Sequence, residues 1–179
     1  MEDIIFIDIE ASGFGRGSYP IEIGIAGPGN DLDCFLVRPC AGWDHWDPKA
    51  ERLHGISLST LHAHGRVAAE VAAALNARLA GTTVYTDAWG QDMPWLAKLF
   101  DACDVVQAFR VDSVVTLLAE SEQARWHALK AKVTEQLSLS RHRASTDARI
   151  LKLTYETLIR RSAAEPPVSG LNGARSARF

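Results

Sequence analysis

Cysteine is scarce in this 179-residue chain: Cys34, Cys40 and Cys103 make an odd set of three, at spacings that match no zinc motif. This counts against a disulfide framework and a structural zinc site, and predicts small, buried or half-buried side chains in a reducing cytoplasm. A basic excess is also missing, since 19 Lys and Arg face 22 Asp and Glu, a formal net charge of −3. That balance excludes a protein that coats phosphate backbones or lays a broad cationic face on a membrane. No apolar run approaches the ~18 residues of a membrane-spanning helix. The start, Met1-Glu2-Asp3, is acidic where a secretion signal is basic, and Asp8 and Glu10 interrupt the apolar stretch after it, so a soluble cytoplasmic protein is expected. What is present is ordinary, with 47% hydrophobic and 23% charged residues. A chain of this length buries roughly 70% of its unfolded surface on folding and needs no staple.

Residues 4–10, rich in isoleucine, predict a buried strand closed by Ser12-Gly13. Ile21 to Ala26 and Cys34 to Val37 predict two more strands, joined across Gly27-Pro28-Gly29-Asn30 in an antiparallel meander. A short helical segment follows residue 48, and Ser57 is placed to cap a further turn. Val67, Val71, Leu75 and Leu79 recur at helical spacing and predict a helix over 66–80, followed by a strand at Thr82 to Thr86. Beyond it the pattern predicts a helix carrying Leu96, Leu99 and Cys103, a strand at Asp104 to Phe109, and a helix capped by Asp112 and running to about 120. Further helices are predicted over 121–138 and 144–161. A meander followed by helix-strand alternation is an α/β arrangement around one mixed sheet of five strands flanked by helices. The domain spans 1–161, and 162–179, with Pro166, Pro167 and no periodicity, is expected to be a disordered or loosely attached tail.

Certain acids stand where apolar residues belong. On a strand at 4–10, Phe6, Asp8 and Glu10 share one face, so two carboxylates lie side by side on a central strand. Unpaired burial of both is costly, and a divalent cation between them relieves both the burial and the repulsion. In the last helix Ala144, Ala148, Leu151, Tyr155 and Leu158 form a core stripe, and Asp147 falls on it. His142, five residues earlier, belongs on the loop before that helix, beside the aspartate. Asp92 precedes Leu96, Leu99 and Cys103 on another helix just past a strand end, with Asp87 as rival or auxiliary. Convergence of these groups makes an oxygen-rich cluster suited to Mg²⁺ or Mn²⁺ with a histidine beside it. Its chemistry is metal-assisted displacement at phosphorus, with the histidine taking a proton from the attacking water.

These residues resemble a known family. Phe6-Ile7-Asp8-Ile9-Glu10-Ala11-Ser12-Gly13 with Pro20-Ile21-Glu22-Ile23-Gly24 is similar to the first motif of the DEDDh 3′–5′ exonucleases, which include polymerase proofreading subunits, oligoribonuclease and ribonuclease T. Asp92-Met93-Pro94-Trp95-Leu96 resembles the second motif, and His142-Arg143-Ala144-Ser145-Thr146-Asp147-Ala148 matches the third. The resemblance implies a ribonuclease H-like fold and two divalent metals, Mg²⁺ or Mn²⁺. Asp8, Glu10, Asp92 and Asp147 would be the ligands, Asp8 the bridge and His142 the general base. It implies release of nucleoside 5′-monophosphates from the 3′ end of single-stranded DNA or RNA, with a homodimer left open. Ala11, Ser12, Gly13 and Phe14 would meet the terminal nucleotide, as would His54 of the segment His54-Gly55-Ile56, for which packing and capping is an equal reading. Ala88-Trp89-Gly90-Gln91 replaces the usual residues before Asp92, which keeps Asp87 open as a ligand. It also keeps open a second function, a nucleic-acid-binding or scaffolding domain of this fold without catalysis.

Four other groups carry weaker signals. Tyr19 is a second stacking candidate beside Phe14, and Trp43, His45 and Trp46 read as a loop tucked onto the core rather than a groove. His62 and His64 read as solvent-exposed, and Arg141 and Arg143 as phosphate contacts.

Overall fold

The structure, a computed structural model, describes residues 4–137 and 142–164. Strands β1 (Ile5–Ala11), β2 (Pro20–Ala26), β3 (Leu32–Leu36), β4 (Thr83–Thr86) and β5 (Arg110–Ser113) form one sheet in the order β3-β2-β1-β4-β5. The first three are antiparallel, as the turn at 27–30 predicts, whereas β1, β4 and β5 run parallel. The described helices are α1 (Pro48–His54), α2 (Leu58–His64), α3 (Ala68–Leu79), α4 (Trp89–Ala102), α5 (Glu120–Leu137) and α6 (Ala144–Ala164). No helix among the described residues is long and apolar enough to cross a membrane.

Alternation along β1 sorts its side chains between two cores. Ile7 and Ile9 pack with Ile23 and Ile25 of β2 against Val71, Leu75 and Leu79 of α3 and Leu96 and Leu99 of α4. Phe6, on the other face, packs against Trp126 and Leu129 of α5 and Ala148, Ile150 and Leu151 of α6. Asp8 and Glu10 continue the Phe6 face past the end of that core. Their partners across β2 are Gly24 and Glu22, and Gly24 leaves room for the start of α6. A Cβ on Gly24 would lie 2.1 Å from the Ala144 carbonyl carbon and 2.2 Å from the Ser145 nitrogen.

Several expectations shift. Residues 104–109 are not a strand. Asp104 takes a left-handed conformation (φ 51°) and stops α4, and the Asn76 side chain bonds the backbone that a ladder would have used. Its amide donates to the Val106 carbonyl and accepts from the Ala108 nitrogen, both at 2.8 Å. The strand lies later, at β5, and holds Asp112. Ser113 is the cap instead, and the helix expected up to 120 is a 3₁₀ turn, Val114–Leu117. Cys34 is exposed because β3 is an edge strand, while Cys40 and Cys103 are half-buried, and all three are free. The last helix runs on to Ala164, and the expected tail from 165 onward lies outside the described residues, as does Arg141.

Candidate active site

β1 pairs with β4 only as far as Phe6 and Tyr85 and runs on to Ala11, and beyond the end of β4 its exposed edge and the turns and helices around it line a cavity of about 610 Å³. Asp8 and Glu10 from β1, Asp87 and Asp92 from the turn after β4 and the first turn of α4, and His142 and Asp147 from the start of α6 all line it. Six carboxylates, counting Asp47, face two lysines there, Lys49 and Lys130. Every acid singled out from the sequence therefore meets at one place.

His142 has φ 64° and stands just before α6. Asp147 reaches back over that turn, its Oδ2 accepting from the His142 nitrogen at 2.8 Å. A ligand atom from each of Glu10, His142 and Asp147 lies within 4.8 Å of the others. The α6 terminus is fixed from behind by Glu22, which is fully buried. Glu22 accepts from Arg143 Nη2 at 2.6 Å, from Arg143 Nε at 3.0 and 3.1 Å and from the Ala144 nitrogen at 2.8 Å. Arg143 is thus committed to Glu22 and is not a free phosphate contact.

Electrostatics mark the cluster as strained without a cation. Burial pushes the Asp8 carboxyl well above its ordinary value, and Asp92, Asp147 and Glu10 push it further. Glu10 is pushed up to about 7, first by burial, then by Asp147, Glu22 and Asp92. Asp92, 2% exposed, is also pushed up to about 7 by burial, against the hydrogen bond it accepts from Thr86 Oγ1. Crowded carboxylates at an open cavity, with a histidine among them, are a donor set for a hard divalent cation such as Mg²⁺ or Mn²⁺. Asp87 is engaged elsewhere, since its Oδ2 accepts from Lys130 Nζ at 2.6 Å and from Trp126 Nε1 at 3.4 Å.

Of the expected substrate-contact residues, Ala11, Gly13, Phe14 and His54 line the cavity. Gly13 (φ 139°) lies so close to the loop before α1 that a Cβ would fall 2.6 Å from Asp47 Cβ. Phe14, 71% exposed, leans on Trp95 with ring centroids 5.8 Å apart. His54 is 5% exposed, accepts from the Ile56 nitrogen at Nδ1, and so carries its proton on Nε2, which is buried without a partner among the described residues. Desolvation lowers its pKa. Ser12 is the exception: it is 1% exposed and does not line the cavity. Its hydroxyl pairs with His45 Nδ1 at 3.0 Å and accepts from the Tyr19 nitrogen at 3.1 Å. Tyr19 is buried and stacks on Trp43 at 5.0 Å, and Trp46 donates to Glu51 at 2.7 Å, so that aromatic loop is tucked onto the core. His62 and His64 are exposed on α2.

Sequence reasoning missed Lys130, Glu22 and Thr86. The signal for Lys130 was present: it lies four residues after Trp126 and three before Val133, on the buried stripe of α5. Glu22 likewise sits in a strand whose every residue is buried.

No protein-family model matches the sequence, and neither does any curated protein. Solved structures do match the fold. E. coli exonuclease I in complex with a 5cy-dT13 oligonucleotide superposes with a TM-score of 0.67 at 14% identity, over 90% of this chain and 41% of that one. The zinc-bound form of the E. coli ExoI–ssDNA complex gives 0.67 at 15% identity, over 89% and 41%. Exonuclease I from Methylocaldum szegediense gives 0.62 at 13% identity, over 91% and 41%. The chain thus has a ribonuclease H-like α/β fold and spans about two-fifths of the length of the structures it matches.

Proposed function

We propose that this chain is a metal-dependent 3′–5′ exonuclease that hydrolyses terminal phosphodiesters of single-stranded DNA or RNA and releases nucleoside 5′-monophosphates. The observation that carries the reading is the meeting of Asp8, Glu10, Asp92, Asp147 and His142, from three separate parts of the chain, at one cavity. Those four carboxylates would hold two Mg²⁺ or Mn²⁺ ions. Bound there, the ions supply a water of lowered pKa and stabilise the leaving oxygen.

The chain's own residues do the rest. His142, on a left-handed turn within 4.8 Å of Glu10 and Asp147 oxygens, takes the proton from the attacking water, because histidine is the side chain suited to that transfer near neutral pH. The Glu22 anchor keeps that turn in place. Phe14 and Trp95 offer an apolar wall on which a terminal base stacks, and His54 lines the same cavity behind it, its Nε2–H buried without a partner among the described residues. Asp87 is tied to Lys130 and Trp126, which favours Asp92 over it as the ligand. The oligonucleotide complexes in which exonuclease I has been solved support a single strand as the ligand, and the three free cysteines suit a reducing cytoplasm.

Incubation with 3′- and 5′-labelled oligonucleotides and Mg²⁺ tests the reading. Mononucleotide release from the 3′ end, abolished by EDTA, is expected. No release, or release indifferent to EDTA, overturns it. Oligonucleotide binding without cleavage across several metals assigns the chain to the scaffolding alternative.

A further inference from the structure

Lys130 stands between Trp126 and Val133 of the buried stripe of α5 and lines the cavity together with the carboxylates. Asp87 and Lys130 side chains are 13% and 23% exposed, and their contact is 2.6 Å. An ammonium has three donors. Asp87 takes one, and no other acceptor among the described residues takes the others. A half-buried ion pair is a poor way to stabilise a fold, because desolvation offsets most of the attraction. Two apolar residues at these positions would serve packing as well, so the pair calls for a reason at the cavity itself.

We propose that Lys130, tethered by Asp87, binds a non-bridging phosphate oxygen of the strand held in this cavity. The proposal rests on the nuclease reading for what that strand is. A polyanion entering a cavity lined with six carboxylates needs fixed positive charge of the protein's own. Lysine supplies it as a compact point charge. Asp87 is a positioning residue: it holds Nζ to one side and prevents the ammonium from folding onto Asp8 and Asp92, whose charge it already feels. Lys49 also lines the cavity, but it is exposed on α1 and its ammonium has no such tether among the described residues.

Steady-state shortening of a labelled single-stranded oligonucleotide in Mg²⁺, at rising salt, is the test. Lys130→Met is expected to raise KM about tenfold with kcat changed less than about threefold. The slope of log(1/KM) against log salt should become shallower by about 0.7, the value for one phosphate contact to a single strand. Lys130→Arg restores the slope, and Asp87→Asn raises KM while keeping it, which a merely structural pair would not do. Lys130→Gln replaces Lys130→Met in the assay if the methionine variant does not fold. A wild type that shortens no oligonucleotide with Mg²⁺ or Mn²⁺ overturns the nuclease reading and this proposal with it. A wild type that cuts, beside a Lys130→Met protein of unchanged KM and slope, overturns this proposal alone.

Discussion

Asp8 is flanked by Asp92, Asp147 and Glu10, and its burial and that repulsion both favour the protonated form. A site built this way holds its residues together at the expense of stability in the absence of a cation. Asp8→Asn should therefore raise the Tm of the metal-free protein at pH 8 by about 2–4 °C for each kcal/mol of repulsion removed. It should also abolish turnover. Calorimetry in EDTA checks the first, and a lower Tm would contradict the electrostatic account. Asp147→Ala should likewise abolish turnover. His142→Ala should slow cleavage by about 10²–10⁴-fold and leave Mn²⁺ binding measurable by titration calorimetry. Loss of metal binding together with activity would make His142 a ligand, which its place within 4.8 Å of Glu10 and Asp147 oxygens makes a sharp alternative to test. At this scale the sequence was readable wherever a charged residue broke an apolar pattern: Asp8 on its strand and Asp147 on its helical stripe both fell where expected. Lys130 breaks the stripe of α5 by the same rule. Ser12 shows the limit, because its hydroxyl is drawn inward by His45, a partner thirty-three residues away that no local pattern announces.

Among the elements, the seat of α6 decides whether the site exists. Glu22 and Gly24 both lie on the face of β2 that meets α6, one anchoring its first residues and the other admitting them. Gly24 is needed for space rather than for an unusual backbone angle. Gly24→Ala would press a methyl group into the Ala144–Ser145 peptide, and overpacking of this kind costs about 1–3 kcal/mol. We expect a lower Tm and a fall in kcat, because His142 and Asp147 move with the helix. A variant with wild-type kcat would show that α6 is held by something other than this face. The alternation of β1, the helical stripes and the turn at 27–30 made most elements legible. Residues 104–109 were not, because Asn76, from α3, supplies the hydrogen bonds that decide their conformation. That choice is made by tertiary contact and not by propensity.

The whole molecule, with a net charge of −3, concentrates its acidity in one cavity, and this gives its stability a definite dependence on pH. Glu10 and Asp92 are pushed from 4.5 and 3.8 up to about 7, and Asp8 rises with them. Over the interval from about 4 to about 7, the folded protein without metal keeps protons that the unfolded chain has lost. Stability then falls as pH rises, by about 1.4 kcal/mol per pH unit for each proton held. His54 opposes this below its ordinary value of 6.5, since its lowered pKa leaves it neutral in the fold while the unfolded chain binds a proton. One imidazole stands against three carboxylates, so the fall should prevail, and His54→Gln should steepen it. A divalent cation that binds the ionised carboxylates reverses the trend, because its affinity grows as they lose their protons. Thermal melts from pH 5 to pH 8, in EDTA and in millimolar Mg²⁺ or Mn²⁺, should therefore diverge. The EDTA series should lose Tm with rising pH while the metal series holds or gains, with the widest gap at the alkaline end. A Tm in EDTA that climbs through this interval, or two series that run parallel, would mean that the carboxylates are not crowded as their geometry requires.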